Sequence, residues 1–493
     1  MNEANRLRRP LALLLLTSLI GLAACKQEAT PEPQPAATVE QAPRLQSLAA
    51  LDDQPLPRRQ LEIQSWRTEE GARVLFVESR ELPMFDLRLT FAAGSSQDAG
   101  TPGLALLTNA MLDEGIEGRD VTAIAQGFES LGANFGNGAY RDMAIASLRS
   151  LSAKDKREPA LALFTQVVSQ PTFPEAALQR IQNQLLAGFE FQKQNPGKLA
   201  GLELFRQLYG EHPYAHPSDG TEDSIPAIGI DQLRAFHTRA YSAGNVVIAL
   251  VGDLDRGQAE AIAAQLSSAL PSGPALPPPP PPQSPKPGLH AIEYPSSQSH
   301  LMLAQLGISR GDPDYAALYL GNQILGGGGF GTRLMEEVRE KRGLTYGIYS
   351  AFSPMRADGP FMINVQTRAE LADGTLKLVQ QLVRDFLAEG PSEAELQRSK
   401  RQIAGSFPLS TASNADIVGQ LGSIGFYDLP LTYLEDFMQQ IQALSADQVK
   451  AAMNRHLDAD DFVIVRAGPT VPQQPLPPPA NGPREQPSGV PGH

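Results

Sequence analysis

The sequence is short of several things, and each shortage removes a class of protein. One cysteine among 493 residues leaves no disulfide to staple the fold, so stability must come from buried apolar surface. Basic residues are outnumbered, 41 Lys and Arg against 54 Asp and Glu, and a net charge of −13 excludes the basic face of a nucleic-acid binder. Histidine is scarce, at 7. The apolar stretch Leu11 to Leu22 stops short of the ~20 residues that a spanning helix needs. What remains, 42% hydrophobic and 19% charged residues, is a soluble globular composition, and the length predicts two domains.

The lone cysteine has a telling position. Arg6, Arg8 and Arg9 precede the apolar stretch, which ends in Leu22-Ala23-Ala24-Cys25. This resembles the lipobox of bacterial lipoproteins, in which the signal is removed before the cysteine and the thiol takes lipid. Residues 1–25 are therefore expected to be a signal peptide, with Cys25 anchoring the mature chain to a bacterial envelope membrane, facing the periplasm. Lys26 in place of an aspartate favours the outer membrane.

Proline divides the rest. Residues 26–56, rich in Pro, Ala, Gln and Glu without apolar periodicity, read as a flexible tether. A stretch at 269–287, with prolines at every position from 277 to 282, predicts a stiff spacer. Residues 469–493 read as a disordered tail. Folded domains are expected at 57–268 and 288–468.

These two segments resemble each other. Asp231-Gln232-Leu233 opens an amphipathic helix followed by the apolar strand Val246 to Val251 and Gly252. Asp447-Gln448-Val449 opens another, followed by Phe462 to Val465 and Gly468, with equal spacing from aspartate to glycine. Near the front, Leu87-Arg88-Leu89-Thr90 matches Leu301-Met302-Leu303-Ala304. Each strand leads into a helix, 105–112 or 318–325, that places Asn109 and Asn322 in correspondence. The pattern predicts an α+β fold of two related domains from an internal duplication, each a mainly antiparallel sheet covered by helices.

Several motifs then call for one family. Gly94-Ser95-Ser96, Gly103-Leu104-Ala105 and Met111-Leu112 resemble the front of the pitrilysin/insulinase-type (inverzincin) zinc metallopeptidases. So do Tyr209-Gly210-Glu211-His212-Pro213-Tyr214, the segment Gly220 to Ile225, and Arg339-Glu340-Lys341-Arg342-Gly343-Leu344-Thr345-Tyr346. The resemblance spans 57–468 and implies two related α+β domains joined by a linker. It also implies an inverted motif, H-x-x-E-H, in which two imidazoles one helical turn apart bind zinc and the glutamate takes a proton from the bound water. Aligned on Gly103-Leu104-Ala105, the first histidine position is Leu106, the glutamate is Asn109 and the second histidine is Ala110. The third-ligand position falls at Ala187–Gly188, with Glu190 near but out of register. No metal site is expected in this chain. His212 and His216 have ligand spacing, but Pro213 and Pro217 make that segment a loop.

What the resemblance retains is on the second domain. Arg339 and Tyr346 match the family's arginine–tyrosine pair, which implies hydrogen bonds to the backbone of an extended peptide. Met335 to Arg342 is expected as a helix closed by Gly343, and Leu344 to Ala351 as a strand that begins near the tyrosine. The structural alternatives are an ion pair of Arg339 with Glu336 or Glu340, and a half-buried strand aromatic at Tyr346. Gly326-Gly327-Gly328-Gly329 follow a helix, which denies them a dinucleotide-binding reading. They resemble the substrate-handling glycine loop of the family's non-catalytic subunits; the alternative is a helix end with a permissive turn.

The expected function is a non-catalytic partner subunit. A homologous zinc peptidase subunit with intact H-x-x-E-H would supply zinc, and this chain the peptide-binding half of a clamshell chamber around peptide substrates. The alternative is a stand-alone peptide-binding or scaffold lipoprotein; an active zinc endopeptidase is the least favoured reading.

Overall fold

Unbroken apolar runs such as Val246-Val247-Ile248-Ala249-Leu250-Val251 cannot sit on a sheet with one wet face, so both faces of their strands must be covered. The computed structural model, which describes residues 61–480, shows how this is done. Cys25, the tether expected at 26–56 and the tail from 481 onward lie outside those residues. Among the described residues no helix is long and apolar enough to cross a membrane.

The first half contributes β1 (Gln64–Arg67), β2 (Arg73–Glu78), β3 (Met84–Phe91), a short hairpin of β4 (Gly115–Ile116) and β5 (Arg119–Asp120), β6 (Asn134–Ala139), β7 (Ala144–Leu151) and β8 (Val246–Gly252). The second contributes β9 (Gly288–Glu293), β10 (Gln298–Leu306), β11 (Ile348–Phe352), β12 (Pro360–Arg368) and β13 (Val463–Gly468). The first sheet runs β1-β2-β8-β3-β7-β6 and the second β11-β12-β10-β13-β9. Read from the other edge, the second order reproduces β2-β8-β3-β7-β6. The pairing senses agree as well: β2 with β8 and β9 with β13 are parallel, and the other neighbours are antiparallel. Register repeats too. Leu87 faces Leu250 and Leu301 faces Arg466, so superposing Leu87 on Leu301 brings Gly252 to the place of Gly468. The halves are thus two copies of one α+β plan, each a mainly antiparallel sheet under helices.

One face of each sheet is covered by helices of its own half. Phe85, Leu87, Leu89 and Phe91 of β3 pack into the first core, and Leu301 and Leu303 of β10 into the second. The opposite faces are covered by exchange. Helix Asn414–Phe426, from the second half, lays Ile417, Leu421 and Ile424 on Leu75, Val247, Ala249 and Val251 of the first sheet. Helix Pro196–Tyr209, from the first half, lays Ala200, Leu204 and Leu208 on Ala304, Val463, Val465 and Ala467 of the second. Each buried Leu, Ile or Val adds about 1.5–3 kcal/mol of hydrophobic stabilisation, so the exchange ties the halves strongly together. Gly425 is required at this contact, because a Cβ there would strike Val247 and Leu75. A buried polar seam accompanies it. The Tyr214 hydroxyl donates to Asp142 (2.6 Å), and the backbone amides of Arg356 and Ala357 donate to Asp142 (2.8 Å) and to the Tyr214 oxygen (3.1 Å). Burial pushes the Asp142 carboxyl above its ordinary range.

Two expectations about the proline-rich stretches need revision. The stretch between the halves has no helix or strand from 271 to 287, and it is fastened to the first half. Gln97 donates to Pro277 O (3.1 Å), His212 to Pro280 O (2.7 Å), and Asn245 accepts from Leu276 N (2.8 Å). The tail expected to be disordered from 469 is held through 480. Leu476 packs into the second core, Gln473 bonds Asp373 N (2.9 Å) and Ala369 O (3.0 Å), and Ala480 N reaches Lys341 O (2.8 Å). A half-buried leucine and a series of hydrogen bonds outweigh the low-complexity composition there.

Candidate functional site

Helix Leu104–Ala110 stands where the inverted zinc motif belongs. Its N-terminus is secured by Asp98, fully buried, whose carboxylate accepts from Gly103 N (2.9 Å) and Ala105 N (2.8 Å). Burial raises the Asp98 carboxyl, and hydrogen bonds from His216, Ala105 and Gly103 oppose that rise. His216 donates to Ser95 O (3.0 Å) and lies 3.3 Å from Asp98. The Tyr214 amide donates to Nδ1 of His212 (3.1 Å), so the proton that reaches Pro280 O sits on Nε2. Both imidazoles are therefore spent on the protein, and neither is a ligand pair's half.

At the glutamate position, Asn109 is 2% exposed. Its side-chain amide nitrogen donates to Ile145 O (3.2 Å) and to the Tyr241 hydroxyl (3.1 Å), while its main-chain carbonyl accepts from the Asn137 side chain on β6 (2.7 Å). The side chain joins helix to sheet. Asn322 does the same in the second half, donating to Ser350 O (3.1 Å) and accepting from the Ser350 hydroxyl (2.6 Å). Leu106 and Ala110 are half-buried hydrocarbon, and Ala110 packs against the first core. Ala187 and Gly188 lie on helix Glu175–Lys193, with open space beside Gly188, and Glu190 is paired with Lys193 (2.9 Å). Zinc would need nitrogen, sulfur or carboxylate ligands converging on one point. The residues at these positions do not fit it.

Among the described residues Asp312, Asp314 and His456 are the one group close enough to share a metal ion, and the sequence reading passed over them. Both Asp314 oxygens already serve Arg455 (2.7 and 2.9 Å), and His456 adds a third contact (3.0 Å). This is an ion-pair cluster.

The second region lies at 323–347. Met335 and Val338 are buried beneath a π-helical turn, Met335–Glu340, which leaves Arg339 at the surface. Gly343, at φ 61°, closes the turn as expected, donating to Arg339 O (2.8 Å), and Leu344 N donates to Val338 O (3.0 Å). Lys341 and Arg342 are both engaged by Glu337, at 2.5 and 2.6 Å. Arg339 differs. Its guanidinium lies 4.8 Å from the centre of the Phe330 ring, and its Nε is 3.3 Å from Glu340. Among the described residues the rest of its donors have no acceptor. Tyr346 is 91% exposed with no hydrogen bond from its hydroxyl among those residues. The strand expected from Leu344 begins only at Ile348, because Thr345 turns its hydroxyl onto Gly347 (O at 2.8 Å, N at 3.1 Å). Tyr346 therefore stands on a loop.

The glycine loop is more constrained than its composition suggests. Gln323–Gly327 is a π-helical extension of helix Tyr315–Asn322. A Cβ on Gly326 would strike Ser350 and Leu334, one on Gly327 would strike Asn322, and one on Gly328 would strike the Gln323 carbonyl. Gly329 has φ 74°. Thr332 and Gln402 donate to the carbonyls of Gly329 (2.9 Å) and Gly328 (3.3 Å). Gly326 is buried, whereas Gly327 is open to solvent. The glycines form a built turn at the end of the helix, and Phe330 stands exposed at its tip. A lone aromatic inside a glycine run was the signal that could have marked Phe330 in the sequence.

Comparison with known proteins places these features. Residues 73–222 match the model of the insulinase family (peptidase family M16), and residues 227–403 match that of the peptidase M16 inactive domain. A crystal structure of a peptidase M16 inactive domain from Pseudomonas fluorescens is 70% identical, covers 85% of this chain and 100% of its own, and superposes with a TM-score of 0.83. The chain belongs to the insulinase family. A Helicobacter pylori relative named as a non-peptidase homolog is 27% identical over 80% of this chain and 91% of its own length. The insulinase fold is also that of a solved Helicobacter pylori protease, at 16% identity and a TM-score of 0.76, covering 83% of this chain and 100% of its own. Within the insulinase family this chain is one whose zinc helix offers neither ligand nor base, a non-catalytic homologue.

Proposed function

We propose that this protein is the non-catalytic partner subunit of an envelope zinc peptidase of the insulinase family, and that it supplies the peptide-binding half of a shared chamber. One observation supports this above the rest: at the retained pair, the hydrogen-bonding groups are unspent. Among the described residues Arg339 has guanidinium donors without an acceptor and Tyr346 a hydroxyl without a partner, seven positions apart in the chain. A buried or fully paired arginine would argue for a structural role. The names of the relatives, a non-peptidase homolog and an inactive domain, agree with a chain that does not cleave by itself. Zinc would then be held by a homologous subunit with intact H-x-x-E-H, and Cys25, through its lipid, would keep the pair at the periplasmic side of a bacterial envelope membrane. A stand-alone peptide-binding lipoprotein is the second reading, favoured by the same unspent groups.

Isolation of the protein from the native envelope, followed by identification of co-purifying chains and metal analysis, separates the two. The partner-subunit reading expects one homologous chain with about one zinc per complex and none on this chain alone. Stoichiometric zinc and peptidase activity on the isolated chain would overturn both readings.

A further inference from the structure

We infer that Phe330 is an apolar subsite for the peptide, one that binds a hydrophobic side chain beside the backbone contacts of Arg339; this rests on the reading given under Proposed function. Phe330 is 70% exposed and makes no ring contact among the described residues except with the Arg339 guanidinium. Its exposure is built in. Gly329 and Gly331 flank it at φ 74° and 81°, where a residue with a Cβ is strained, and hydrogen bonds to the carbonyls of Gly328 and Gly329 hold the turn. One ring face lies under the guanidinium, and the outer side of the ring is open to solvent. An extended peptide whose carbonyls meet Arg339 passes directly beside that ring, so an aliphatic or aromatic side chain of the peptide is placed to pack on it.

The test uses the full chain with whichever subunit accompanies it, and pairs of labelled, uncharged extended peptides that differ by Leu or Ala at one scanned position. At one position the leucine peptide is expected to bind about tenfold tighter, the factor for withdrawing a few methylene groups from water. Phe330→Ala should erase that preference, and Phe330→Trp should keep it. Unchanged preference in Phe330→Ala, or equal weakening of both peptides, would overturn the subsite; the second result would leave Phe330 as a prop under Arg339. Arg339→Ala distinguishes the two levels of the argument: it should weaken both peptides and preserve the leucine preference. If Arg339→Ala changed neither affinity, the peptide-binding reading of the pair would fail whatever Phe330 did. Because the ring is mostly exposed, thermal stability of Phe330→Ala should match wild type, which serves as the folding control.

Discussion

The helix at Leu104–Ala110 and the turn at Met335–Glu340 are the two places where the insulinase pattern puts chemistry, and they differ in what their polar groups are doing. At the first, Asn109 is buried and its amide is committed to Ile145 and Tyr241. At the second, half-buried Arg339 and exposed Tyr346 have donors without acceptors among the described residues. Buried polar groups are retained because leaving their partners unsatisfied is costly, whereas exposed and unpaired ones bring no stability. The first region is thus scaffold whose polar groups are committed to the protein, and the second is surface whose polar groups are uncommitted among the described residues. The duplication sharpens the point, since Asn109 repeats the task of Asn322. At the position of the family's glutamate, the first half carries the same kind of joint that the second half uses.

The comparison breaks first, and by the largest effect, at Asn109. Asn109→Ala strips donors from Ile145 O and the Tyr241 hydroxyl, and is expected to cost about 2–4 kcal/mol in chemical denaturation with peptide affinity unchanged in the folded fraction. Loss of peptide affinity at full stability would reverse the assignment. Arg339→Ala should do the converse. Losing a charged donor is worth about 1.5–3 kcal/mol, so turnover by the reconstituted complex should drop roughly tenfold or more in kcat/KM while stability stays within about 0.5 kcal/mol. Glu340 contacts the guanidinium and is no clean control; exposed Glu336, which pairs with Lys341 at 3.0 Å, serves better, and Glu336→Ala should leave turnover unaltered. Tyr346→Phe removes one neutral hydrogen bond of about 0.5–1.5 kcal/mol, so a several-fold loss is expected, measured in the same assay.

The smallest effect concerns acid. His237 stacks on Tyr241 and donates to Val168 O (2.8 Å), and burial lowers its pKa below the ordinary value. The unfolded chain therefore takes a proton near pH 6.5 that the folded chain refuses. His237's contribution is complete above about pH 6.5 and declines below it, by at most about 1.4 kcal/mol per pH unit. Wild type should lose about a degree or two of Tm between pH 6.5 and 5.5 through this group, and His237→Asn should lose less. An identical pH slope in both would show that His237 does not sense acid on the buried side of the comparison.

Much of the molecule was readable in the chain because the information is local. Alternating and unbroken apolar runs declared the strands, Gly343 declared a helix end, and equal spacing of Asp231–Gly252 and Asp447–Gly468 declared the repeat. The empty zinc positions at Leu106, Asn109 and Ala110 needed only side-chain chemistry and a motif. Partnership is not local. Arg339, Lys341 and Arg342 look alike in sequence, and only the turn of the backbone decides that Glu337 takes the last two and leaves the first on Phe330. Likewise Ile417 and Leu421 announce an apolar helix face without saying which sheet it will cover. That it covers the sheet of the other half, and that helix Pro196–Tyr209 returns the exchange, is decided by burying both faces of two sheets at once, a condition that no short window of residues contains.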